Sequence, residues 1–167
     1  HIIDEASSLY AKYGADDLDM VAGKLGLAVY DLLDAEHLNE VYFPRLGAIV
    51  VKPGLPSYLR RFLVGHSLGH HLLHGQQAAD YLRFHLRRPA TGSDPAGHKM
   101  LQLETEADLF AAFLLVPEHR LGPVVKLPWF KQSTDPVLEL AIEFQVPPEA
   151  MRVRLVYEGC RSLRHQG

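Results

Sequence analysis

Two apolar stretches, residues 57–74 and 100–116, constrain this chain more than anything else in it. Each repeats its hydrophobic residues at helical spacing, yet each carries groups that a core rarely accepts. The first holds Leu59, Phe62, Leu63, Leu68, Leu72 and Leu73 together with His66, His70, His71 and His74, and Gly75 ends it. The second is stopped by Pro117 and contains Glu104, Glu106 and Asp108. Charged groups on buried helices need partners, so the two helices are expected to meet.

His66 and His70 are four apart, which puts both imidazoles on one helix face about one turn apart, as a single metal ion requires. Spacing alone is weak: 10 histidines in 167 residues produce roughly 0.6 such pairs by chance. A catalytic zinc site takes three protein ligands and leaves a position for water, so a third donor must come from elsewhere, and Glu104 is the candidate. Asp108, four residues on, shares its face and suits the outer N–H of a ligating imidazole. The competing reading makes His66 and His70 satisfied core histidines and Glu104 and Asp108 a solvated face. Glu106 points elsewhere and reads as a solvated charge. An unbroken helix would carry His74 about 12 Å from His66, and His71 points about 100° from His70, so neither is expected to be a ligand.

Around these helices the pattern reads as one α+β domain over 1–167. Residues 2–13 form an amphipathic helix ended by Gly14, and a second helix from Leu18 is capped by Asp16 or Asp17 and stopped near Gly26. Residues 27–33, 40–43 and 47–52 read as three strands of a small antiparallel sheet, and Ser57 as the cap of the helix that follows. Residues 76–99 read as a mobile polar loop, partly helical over 78–86, with a basic group of Arg83, His85, Arg87 and Arg88. An irregular stretch with Pro123 and Pro128 follows. Two short helices over 135–158 then resemble a helix-turn-helix pair, packed on the domain.

A formal charge of −3 excludes a uniformly basic nucleic-acid coat. Arg152, Arg154, Arg161, Arg164 and His165 make the C-terminus locally basic, but Val153, Leu155 and Val156 look like core residues. Packing or substrate docking is therefore expected there rather than direct DNA binding. The lone Cys160 cannot form an internal disulfide, no apolar run is long enough to span a bilayer, and a cytoplasmic location without membrane contact is expected.

Residues 61–74, RFLVGHSLGHHLLH, resemble the R-F-x-x-A-H-E-x-G-H-x-x-L-H signature of the ImmA/IrrE metallopeptidases. Residues 104–117, ETEADLFAAFLLVP, resemble that family's E-x-x-A-N/D-x-F-A-A-x-L-L-M-P block, and residues 145–155 its C-terminal segment. The resemblance implies a zincin-like core in which His66, His70 and Glu104 bind zinc or manganese. It also implies an endopeptidase that cleaves a helix-turn-helix transcriptional repressor and so releases stress or mobile-element genes. The glutamate after the first histidine would take a proton from water.

This chain has Ser67 in that place. A hydroxyl is no base near neutral pH, so a peptidase inactive as written is expected. A chain that opens on His1 rather than Met makes an engineered substitution one explanation. A natural pseudo-peptidase that binds a regulator is another. A loop carboxylate such as Asp80 or Asp94 acting as the base is a third.

Overall fold

The computed structural model describes residues 1–34, 38–75 and 95–164. Of the loop expected over 76–99, residues 76–94, with Asp80, Asp94 and the basic group, lie outside these residues, and 95–99 are helical instead. Helix α1 (Ile2–Tyr13) ends at Gly14, whose φ of 72° a side chain would resist. Helix α2 (Leu18–Lys24) is capped by Asp17, which accepts from the Met20 N–H at 2.9 Å.

Strands β1 (Ala28–Tyr30), β2 (Glu40–Phe43) and β3 (Ala48–Val51) form a sheet in the order β1-β3-β2. The sheet was expected to be antiparallel, and the β2–β3 hairpin is; β1, however, runs parallel to β3. The second strand of the hairpin, β3, is therefore the central one, paired with β2 on one side and with β1 on the other. The first strand is also shorter than the run 27–33, because apolar content alone does not mark where ladder pairing stops.

Helix α3 (Ser57–Gly69) begins after Pro56 with no side-chain cap, so Ser57 is its first residue and not the expected cap. Its last turn, His70–His74, widens to a π turn that closes when the Gly75 N–H donates to the His70 carbonyl at 3.2 Å. Helix α4 (Pro95–Leu115) starts five residues before the apolar periodicity does. The stretch expected to be irregular contains two short helices, α5 (Glu118–Val124) and α6 (Pro128–Gln132), each entered from an extended residue. Helix α7 (Pro136–Phe144) is capped by Asp135, and α8 (Pro148–Arg164) follows a left-handed Gln145.

Ile49, Val64, Leu68, Phe110, Leu114 and Met151 are fully buried where the sheet, α3, α4 and α8 meet. Arg61 ties α3 to the turn between α1 and α2 and to the end of α7: its guanidinium donates to the Ala15 carbonyl at 2.9 Å and to the Phe144 carbonyl at 3.2 Å. Arg60 pairs with Asp19 and Asp31, each at 2.8 Å. These last pairs are exposed and contribute little energy, but they orient α2 against α3.

Of the three residues expected in the core of α8, Leu155 packs against it but the two valines do not. Val153 and Val156 are 44% and 64% exposed, whereas Arg154 is 0% exposed. The Arg154 Nε donates to the Val116 carbonyl at 2.8 Å, another nitrogen pairs with Glu158 at 3.1 Å, and the guanidinium lies 3.9 Å above the Phe113 ring. Ala150 and Met151 set the buried side of α8, and Arg154 lies one turn along from them. Arg154 is therefore unavailable to a phosphate backbone.

Helices α3 and α4 pack through small residues. A Cβ on Gly69 would come within 3.1 Å of the Ala107 backbone, while one on Gly65 would sit 3.5 Å from the Ala111 Cβ, an ordinary contact. Gly69→Ala should therefore cost about 1–3 kcal/mol by forcing the helices apart. Gly65→Ala should be neutral or stabilise by up to about 1 kcal/mol through helix propensity. Urea denaturation of both variants checks this, and equal stabilities would show that the crossing is looser than it looks.

Candidate metal centre

The α3–α4 crossing is antiparallel, so Glu104 and Asp108, one turn apart on α4, face His70 and His66 on α3. The His66 Nε2 lies 2.9 Å from the His70 Nε2 and 3.2 Å from a Glu104 oxygen, and the other Glu104 oxygen is 3.3 Å from the His70 Nε2. Both histidines are buried, and Glu104 is partly exposed. Donors on a tetrahedral zinc ion with bonds near 2.05 Å would sit about 3.3 Å apart. The spacing of these three side chains fits such an ion, and among the described residues they are the group whose ligand atoms all lie within 4.8 Å of one another.

The outer nitrogens are held as well. Asp108, exposed on its solvent side, accepts from the His66 Nδ1 at 2.8 Å. Behind His70 runs a chain that sequence spacing did not suggest. The His70 Nδ1 meets the His74 Nδ1 at 3.0 Å, and the His74 Nε2 meets a Glu106 oxygen at 3.1 Å. Glu106, expected to be a solvated charge, is half-buried and also accepts from Gln102 at 2.7 Å. A carboxylate can only accept, so His74 carries its proton on Nε2. Burial lowers the His74 pKa despite Glu106, and the neutral ring offers its Nδ1 lone pair to the His70 Nδ1–H. The His70 Nε2 is then a lone pair facing His66 and Glu104, the form a metal ligand needs.

Burial works against a charged His66, but Asp108 and Glu104 outweigh it, with the Glu40 charge adding to them, and the ring is pushed up to about 10. Burial would raise the Glu104 carboxyl, but His66 and His70 hold it well below the usual carboxylate range. Without metal, one proton is shared among the atoms that an ion would bind.

Ser67 is fully buried on α3, and its hydroxyl donates to a Glu40 oxygen at the start of β2. Two residues along the strand, the Tyr42 hydroxyl bonds the His71 Nδ1 at 2.8 Å. Neither Glu40 nor the His74–Glu106 pair could have been found by spacing. The partners lie 27 and 32 residues apart in sequence and belong to different elements.

An α+β fold in which two histidines four apart on one helix meet a glutamate from a second defines a zincin-like metallopeptidase core. Residues 22–156 match the IrrE N-terminal-like domain, Peptidase_M78, and the chain belongs to that family. Among solved structures, a Mycobacterium tuberculosis transcriptional regulator shares the fold, with a TM-score of 0.63 and 16% sequence identity. The likeness covers 92% of this chain and 46% of that one, so this chain spans about half the regulator's length. Comparison with curated protein sequences gives no match. No helix among the described residues is long and apolar enough to cross a membrane.

The raised His66 pKa has a measurable consequence. A charged His66 stabilises the metal-free fold fully below the free imidazole value of 6.5, and that contribution is lost as pH rises through about 10. Zinc uptake at pH 8 should therefore release about one proton, and affinity should fall as pH falls. Calorimetry in two buffers of different ionisation enthalpy measures the release. Uptake without it would mean that His66 carries no proton at pH 8.

Proposed function

We propose that this chain is a metal-dependent peptidase domain that cuts a helix-turn-helix transcriptional repressor in the cytoplasm, with residues 1–167 folding as one domain and the 135–158 pair packed on it. The observation that carries the reading is the convergence of His66, His70 and Glu104 from two helices. In this reading those three residues hold one divalent ion, zinc or manganese, and Asp108 orients His66. The ion would supply Lewis-acid polarisation of a peptide carbonyl and of water. The His74–Glu106 chain would keep the His70 Nε2 unprotonated, and Gly69 lets Glu104 reach both rings. The repressor as substrate rests on family resemblance, supported loosely by the shared fold with a transcriptional regulator. The buried Arg154 argues against direct DNA binding through the inner face of α8.

Ser67 favours a second reading, in which the same groove binds a regulator without cutting it. Loss of a general base typically costs 10²- to 10⁴-fold in rate. The two readings share the metal and differ in whether another carboxylate serves.

Protein freed of any expression tag should hold about one zinc or manganese per chain by elemental analysis. His66→Ala and Glu104→Ala should each weaken retention at least 100-fold. Full retention in either variant would remove the site. With metal held, cleavage of a candidate repressor supports the peptidase, and stoichiometric binding that leaves the repressor whole supports the regulator-binding module.

A further inference from the structure

The buried hydroxyl of Ser67 and the carboxylate of Glu40 form one unit. The acceptor of a serine O–H···O bond lies roughly 3.5 Å from the serine Cβ, which is also roughly as far as a glutamate side chain reaches beyond its own Cβ. The Glu40 oxygen on Ser67 therefore stands about as far from the helix as the carboxylate of a glutamate at position 67 would.

The placement of Glu40 is built into the strand. Glu40 and Tyr42 are two apart on β2 and share a face, with a separation of about 6.8 Å. Ser67 and His71 are four apart on α3, separated by about 6.0 Å along its axis. The strand is thus pinned to the helix at two points, Glu40 on Ser67 and Tyr42 on His71. Glu40 is not part of the close His66, His70 and Glu104 cluster, yet its charge acts on the His66 ring. A group outside the ligand set but near it sits where a base can work through one water molecule.

We propose that Glu40, oriented by the Ser67 hydroxyl, is the general base of this domain, a carboxylate delivered by strand β2 in place of one on helix α3. The inference rests on the peptidase reading above. In the step it describes, a water O–H bond breaks and the proton passes to a Glu40 oxygen, while the water oxygen bonds to the scissile carbonyl carbon. The C–N bond then breaks and the same proton leaves Glu40 for the departing nitrogen. One water is consumed, and no oxidant or reductant is needed. Ser67 is a positioning residue in this scheme, since its hydroxyl aims the carboxylate and does not touch the substrate. A glutamate placed at 67 beside an intact Glu40 would set two carboxylates against each other, so the two positions are coupled.

The test combines metal binding, structure and hydrolysis. Glu40→Gln keeps an acceptor for Ser67 and should fold normally, with its zinc Kd within about threefold of the unaltered protein. A crystal structure of the zinc-loaded protein should show a Glu40 oxygen within hydrogen-bond distance of the water on the ion. Hydrolysis of fluorescein-labelled casein should fall at least 100-fold in Glu40→Gln and recover in the double variant Glu40→Gln, Ser67→Glu. The double variant should also exceed Ser67→Glu alone. Glu40 bound directly to zinc, a carboxylate turned away from the water, or casein cleavage undiminished in Glu40→Gln would each overturn the proposal. A failure of the peptidase reading itself looks different: the unaltered protein and its His66→Ala variant would bind zinc equally poorly.

Discussion

The close crossing of α3 and α4 governs the rest of this structure. Gly69 presents no Cβ to the Ala107 backbone, so the two helices approach closely enough for a short glutamate side chain to touch both histidine rings. The small residues and the polar cluster alternate along the same seam. Gly65 meets Ala111 and Gly69 meets Ala107, while His66 and His70 meet Asp108 and Glu104 one residue further round. Packing density and donor geometry are therefore one constraint.

A buried cluster of this kind is costly unless every polar atom is answered. Here Asp108 answers His66, and His74 with Glu106 answers His70. The π turn at the end of α3 lies in this region, with both of its terminal histidines buried. Its irregularity falls at the functional end of the helix, where hydrogen bonds to side chains can offset the weaker backbone geometry.

Arg154 is answered only in part, since one nitrogen of its buried guanidinium has no hydrogen-bond partner among the described residues. It caps the Val116 carbonyl at the end of α4 and stacks on Phe113, so a residue that reads as part of a basic surface instead joins α8 to the ligand-bearing helix. The sheet makes the matching connection from the other side through Glu40 and Tyr42. The centre is thereby gripped by α4 from one direction and β2 from another.

The pairing of His66 with His70 on one helix face and of Glu104 with Asp108 on another, the helix end at Tyr13 and an acidic cap at Asp16 or Asp17 were legible in the chain. Each depends on residues within about four positions of one another, where helical geometry alone dictates which side chains share a face. Tertiary structure decided the parallel pairing of β1, the burial of Arg154 in place of Val153 and Val156, the His74–Glu106 chain and the seating of Glu40 on Ser67. Those features join elements many residues apart, and which distant surfaces meet is set by how the whole core packs, information that local periodicity does not carry.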